Sequence, residues 1–138
     1  MFVNEIQVRV RYAETDQMGY VYYGNYATYF EVARVESLRK LGLSYRALEE
    51  SGIMLPVLEY KSKFVRPAKY DDLLTIKTII PEIPTARIRF EYEVYNENKE
   101  LLTVGDTTLV FIKAETKRPC PTPDYFLEKM KAFYTGGQ

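Results

Sequence analysis

Histidine is absent from this chain of 138 residues. Its absence removes Ser-His-Asp and Cys-His hydrolases, His-ligated zinc and His-based dehydratases together. Acid–base chemistry must therefore rest on carboxylates, tyrosine or lysine. Cys120 is the only cysteine and stands between Pro119 and Pro121, so neither an intrachain disulfide nor a Cys-rich metal centre can form. Such sparing use of cysteine suits a reducing cytoplasm. An excess of one charge is lacking too, because 19 Lys+Arg face 19 Asp+Glu, without the electrostatic footprint of a nucleic-acid or anionic-membrane binder. No segment approaches the about 18 apolar residues of a membrane span, and Met1 to Arg9 have no basic region followed by an apolar run. A soluble, unexported, cytoplasmic protein is expected. No phosphate-binding Gly-rich loop or dinucleotide fingerprint is present either.

What the chain does contain is enough apolar material for a core: 46% hydrophobic and 28% charged residues are near globular averages, and the length suits one domain over residues 1–138. Its 13 Tyr and 7 Phe, against no Trp, are an unusual aromatic mix. From Ile6 to Tyr12, apolar and polar residues alternate, which predicts a strand burying Ile6, Val8, Val10 and Tyr12. The alternation stops over Ala13 to Tyr20, where Asp16 and Gly19 favour a loop. After Gly24 and Asn25, Tyr26, Phe30, Ala33, Ser37 and Leu41 recur at helical steps, widened by Tyr29, Val32, Val35 and Leu38. Gly42 is the expected stop, with Arg39 and Lys40 complementing the helix dipole, and Ser44 can cap a short second helix ending near Gly52.

Four further strands follow, over about Val57–Arg66, Leu73–Ile80, Ala86–Asn96 and Leu101–Lys113, with Asn96 to Lys99 as a hairpin connection. The proline-rich stretch from Arg118 to Pro123 ends the pairing. Thr122 as cap and Pro123 at the first helical position then open a tail helix over about 123–134, before a fraying Gly136-Gly137. This order describes an α+β protein whose antiparallel sheet curls around one thickly apolar helix. Such a sheet leaves open edges, so an oligomer is expected.

Chemistry-bearing residues concentrate between Tyr12 and Tyr26. Asp16 lies in the loop, and the chain enters the helix through Tyr23, Gly24 and Asn25. Unpaired N–H groups and partial positive charge at a helix N-terminus can stabilise an oxyanion. A carboxylate facing that end could attack a carbonyl or activate water. These residue types equally suit a turn in which Asp16 caps, Gly19 supplies a positive φ and the tyrosines pack.

In the order Asp-x-x-Gly-x-Val-Tyr-x-x-Asn-Tyr, residues Asp16, Gly19, Val21, Tyr22, Asn25 and Tyr26 resemble the signature of hotdog-fold acyl-coenzyme A thioesterases related to 4-hydroxybenzoyl-coenzyme A thioesterase. The similarity extends through Phe64 to Ile76, which resembles that family's strand–turn–strand, and in element order to about Lys113. The resemblance implies a curved five-stranded antiparallel sheet wrapped around a long central helix, homodimers or homotetramers, and active sites at the dimer interface. It implies that Asp16 is the catalytic aspartate, as nucleophile or general base, and that the backbone N–H of Tyr23 polarises the thioester carbonyl. Many bacterial relatives carry histidine where Tyr23 stands, whereas the 4-hydroxybenzoyl type carries tyrosine. Mechanisms that need that imidazole are excluded here.

Glu31 lies eight residues beyond Tyr23, about two helical turns, and some hotdog thioesterases use a helix glutamate. It can line the acyl pocket, favouring a polar tip, or form a solvated or interface ion pair. Arg34 and Glu36 read as surface or subunit pairs. Asn25 can bond the loop or cap the helix, while Gly19, Tyr26, Tyr29 and Phe30 can shape the substrate site or simply fill turn and core. For the phosphates of coenzyme A, Arg66, Lys69, Arg87 and Arg89 are available, and the resemblance points to Arg87 and Arg89. Asp71-Asp72 suits a hairpin turn better than a metal site, and Cys120 reads as an incidental thiol. The expected function is hydrolysis of an acyl-CoA thioester without cofactor or metal. The alternatives are an acyl-ACP thioesterase, a noncatalytic acyl-thioester binding protein and a hydratase on the same fold.

Overall fold

The computed structural model describes residues 1–134. Five strands, β1 (Phe2–Arg9), β3 (Val57–Phe64), β4 (Leu73–Ile80), β5 (Arg87–Tyr95) and β6 (Leu101–Val110), form one antiparallel sheet in the order β1-β4-β5-β6-β3. A two-stranded ribbon pairs β2 (Ile53–Met54) with β7 (Ile112–Lys113). Helix α1 (Asn25–Lys40) and the shorter α2 (Tyr45–Glu50) intervene between β1 and β2, and α3 (Asp124–Lys131) follows the sheet. The arrangement is the hotdog fold.

Register explains the core. Ile6, Ile76, Val94, Thr103 and Phe64 are successive partners across the sheet from β1 to β3. On β5, Ile88, Phe90, Tyr92 and Val94 are buried while Arg87 and Arg89 are exposed, as period-two alternation requires. Helix α1 lays Tyr26, Phe30, Ala33, Ser37 and Leu38 against this inner face. Phe30 stacks on Tyr92 with centroids 4.2 Å apart and planes 6° from parallel. Gly105 makes that approach feasible, since a Cβ there would lie 2.8 Å from both Phe30 and the Lys61 carbonyl.

Several boundaries differ from the sequence expectation. The first strand starts earlier and ends at Arg9, and Tyr12 is 78% exposed in a 3-10 turn over Tyr12–Glu14. Its aromatic ring continues the alternation in sequence, but the chain has already left the sheet. The expected fifth strand divides into β6 and β7, because Phe111 is buried between them and the backbone turns onto β2. Thr122 does not cap the tail helix: its hydroxyl and amide both donate to the Thr85 carbonyl, and Pro123 takes the cap position. Helix α3 ends at Lys131, and the expected fraying of Gly136-Gly137 lies outside the described residues. Val32 is exposed on α1, so one stripe of the helix is left uncovered within the chain. Ser44 does cap α2, accepting from the Ala47 amide at 3.0 Å, and Gly42 ends α1 at φ +82.

Candidate active site

The loop from Thr15 to Val21 closes on itself before the chain enters α1. Thr15 bridges Val21, and the Asp16 amide donates to the Tyr20 carbonyl at 2.8 Å. Gly19 adopts φ +77, the left-handed conformation that glycine reaches without strain. These contacts turn the Asp16 side chain back over its own loop. Its Oδ1 accepts from the Met18 amide at 2.9 Å and the Tyr20 amide at 3.2 Å. No hydrogen bond engages Oδ2 among the described residues. The result is a half-buried carboxylate with one oxygen anchored and the other available.

The same loop is fastened on both sides. Val21 donates to the Ala68 carbonyl at 2.8 Å, and Tyr20 bridges Lys69, which ties it to the β3–β4 connection. In that connection Asp72 accepts from the Lys69 amide at 2.9 Å, and Asp71 sits at φ 69, so both aspartates shape a turn. Toward α1, the Asn25 side-chain amide donates to the Glu14 carbonyl at 2.8 Å. Asn25 thus bonds the loop and does not cap the helix, whose N-cap is Gly24.

Tyr23 lies just ahead of that N-cap, where the first N–H groups of a helix lack intrahelical acceptors. Its backbone N–H has no acceptor among the described residues. Asp16, Tyr23, Tyr26 and Phe64 border one cleft of about 240 Å³, which Arg66 and Ala68 also line. Tyr26 is 3% exposed, with its ring centroid 5.2 Å from that of Phe64. The cleft therefore combines an anchored carboxylate, an open backbone donor and aromatic walls. That set can attack, or direct water at, a polarised carbonyl carbon.

Other sequence candidates lie elsewhere. Arg89 is exposed on the outer face of the sheet, where it pairs with Glu91 and lies 3.3 Å from Asp106. Arg87 is exposed at the start of β5. Neither borders the Asp16 cleft, whereas Arg66 does. Cys120 is buried, its amide donating to the Phe111 carbonyl at 2.9 Å. Glu31 lines a different cleft beside Arg34 and Tyr45. Arg34 itself is only 8% exposed, so it is not a surface pair; Glu36 pairs with Arg39 at 2.6 Å.

Sequence reasoning passed over Glu14. Its carboxylate receives the Arg11 amide at 2.9 Å, the Arg11 guanidinium at 2.7 Å and the Tyr29 hydroxyl at 2.8 Å. Burial opposes the charge, but these donors outweigh it and hold Glu14 below the usual carboxylate range. Tyr29 is pushed up by burial and by the facing Glu14. The one available signal was the spacing of Arg11 and Glu14, three residues apart around a turn.

Residues 10–130 match the Thioesterase-like superfamily. The acyl-CoA thioesterase YbgC of Haemophilus influenzae is 35% identical over 114 residues, covering 82% of this chain and 76% of that protein. A DHNA-CoA thioesterase from Staphylococcus aureus superposes with TM-score 0.89 at 38% identity, covering 97% of this chain and 90% of the other. A 4-hydroxybenzoyl-CoA thioesterase variant complexed with 4-hydroxybenzoyl-CoA superposes with TM-score 0.84 at 26% identity, covering 94% and 99%. By sequence and by fold alike, the chain belongs to the thioesterase-like superfamily of hotdog proteins, the family of the acyl-CoA thioesterases.

Proposed function

We propose that this chain hydrolyses an acyl-coenzyme A thioester to a free acid and coenzyme A, with Asp16 as the reactive carboxylate. The observation that carries this reading is the pairing of a free Asp16 Oδ2 with an open Tyr23 N–H in one cleft. As nucleophile, Oδ2 attacks the carbonyl carbon, the C–S bond breaks and the thiolate departs, leaving a mixed anhydride. Water then opens the anhydride to the acid and restores Asp16. As base, Asp16 takes a proton from the water that attacks. In both routes negative charge grows on the carbonyl oxygen, where a backbone donor is typically worth about 3 kcal/mol. Tyr23 serves through its main chain, and Arg66 is the nearest candidate for a coenzyme A phosphate because it borders the cleft.

The reading includes a homodimer, with the site beside the subunit interface. Its support is the edge strand β3, which is exposed along nearly its whole length and presents Val57, Leu58, Tyr60 and Phe64. Phe64 belongs both to that edge and to the Asp16 cleft. Sedimentation at micromolar concentration is expected to give a dimer or tetramer, and a monomer would remove the interface-site arrangement. Among the described residues no helix is long and apolar enough to cross a membrane; action in the cytoplasm, on CoA or carrier-protein thioesters, completes the proposal.

Free-thiol release from short, long and aromatic acyl-CoA substrates, with an acyl-carrier-protein thioester alongside, tests it. Asp16→Asn should lose at least about a hundredfold in kcat with folding and oligomer size intact. Full turnover by the variant moves the reactive role to another group, such as Glu31. Saturable ligand binding without thiol release from either protein would establish the binding-protein alternative.

A further inference from the structure

Arg34 is the one charged side chain that the fold buries among the described residues, at 8% exposure. Every ion pair found there involves other cations, so no carboxylate meets Arg34 within salt-bridge distance. An arginine withdrawn from water without an anion is costly unless something else satisfies it. Its Nε donates to the Tyr45 hydroxyl at 3.1 Å. The Tyr92 hydroxyl also lies beside the guanidinium, and no guanidinium nitrogen is both enclosed and unbonded, so the part of the group that these tyrosines leave unpaired borders open space. That space is a cleft of about 440 Å³ between α1, α2 and β2. Leu48, Ile53 and Leu55 give it apolar walls, while Glu31 and Glu49, both exposed, stand at its rim.

We propose that this cleft binds a small organic anion, whose single carboxylate forks onto Arg34 while its apolar body lies against Leu48, Ile53 and Leu55. Tyr45 completes the recognition: its oxygen accepts from Arg34, which leaves its hydroxyl proton to donate to the ligand. The two rim carboxylates disfavour a dianion or a phosphate, so monoanionic acids are selected. The volume falls within the range of small-molecule sites. Arg34 is eleven residues beyond Tyr23, about 16 Å along the helix axis, and the two clefts share no lining residue. Two sources have the required chemistry: a free organic acid, or the acid-tipped far end of an acyl group. Only the second source rests on the proposed thioesterase activity.

The first experiment is ligand-observed NMR titration of the full chain with benzoate and hexanoate, each compared with its neutral amide. The acids should bind at least about tenfold more tightly than the amides. Arg34→Met should abolish that preference, Arg34→Lys should retain part of it, and Glu31→Gln, at an exposed position, should tighten benzoate binding. Equal binding of acid and amide overturns the proposal. So does an affinity for benzoate unchanged in both Arg34→Lys and Glu31→Gln, which keeps the test decisive if Arg34→Met does not fold. A kinetic arm separates the sources. If an acid-tipped acyl group is the occupant, Arg34→Lys raises the KM of dodecanedioyl-CoA, whose chain is long enough to span the two clefts, and leaves that of dodecanoyl-CoA in place; if a free acid is the occupant, both KM values stay and benzoate binds without competing. Failure of the thioesterase reading shows separately, as no thiol release from any thioester while benzoate still binds.

Discussion

The Tyr29 hydroxyl on α1 donates a 2.8 Å hydrogen bond to Glu14 Oε1, directly before the loop that carries Asp16. One helical turn earlier, Asn25 donates to the Glu14 carbonyl. The two bonds fix the Asp16 loop against the helix end that presents the Tyr23 N–H. Tyr29→Phe removes a bond to a charged acceptor and should cost about 2 kcal/mol in urea denaturation. Its kcat on the best thioester should fall while KM changes little, because the loop that aims Asp16 loosens.

The Glu14 cluster also sets a pH dependence. Its folded-state pKa is lowered, so the unfolded chain takes up the proton first as pH falls. The stabilisation is therefore present above the unfolded glutamate value, about 4.3, and is lost as pH drops through the lowered folded value. Glu14→Gln should melt below the unmodified protein at pH 7, and the gap should narrow steadily when thermal melts are repeated toward pH 3.

Gly105 tests the aromatic stack. An alanine Cβ would lie 2.8 Å from the Lys61 carbonyl, and that acceptor belongs to the backbone of β3, so the strand itself must shift. Gly105→Ala should destabilise the protein by about 1–3 kcal/mol in equilibrium denaturation. A smaller loss would mean that Phe30 and β3 move apart freely.

Gly19 separates backbone conformation from contact. A Cβ there meets no atom within 4 Å, yet φ is +77. Gly19→Ala should cost about 1 kcal/mol through strain alone. Because the strain falls in the Asp16 loop, thiol-release kcat should drop further than the small change in melting temperature suggests.

Local pattern was enough for much of this molecule. Strand β4 lies where the apolar run Leu73–Ile80 predicts it, and β5 buries the residues its alternation selects, because a pleated strand sorts side chains by parity. Gly42 and Ser44 mark helix ends through conformations and hydrogen bonds that act within a few residues. The Asp16 motif was legible for the same reason: loop, glycine and helix entry are contiguous.

What spans the sequence was not legible. Tyr12 continues the alternation of β1 yet lies in a turn, and Thr122 has a capping side chain yet bonds Thr85, 37 residues away. Glu14 looks like an ordinary loop carboxylate until Tyr29 arrives from the helix, and Arg34 looks like a surface charge until Tyr45 and the second cleft enclose it. Arg89 offers a free cation in the sequence, but Glu91 on its own strand pairs with it and the neighbouring β6 brings Asp106 to it. Which elements form, and which residues carry reactive groups, follows from propensity, parity and capping, which act locally. Which of those groups share a cleft, which are neutralised and which charge is buried follows from the assembled fold, because those outcomes depend on register and packing between segments far apart in the chain.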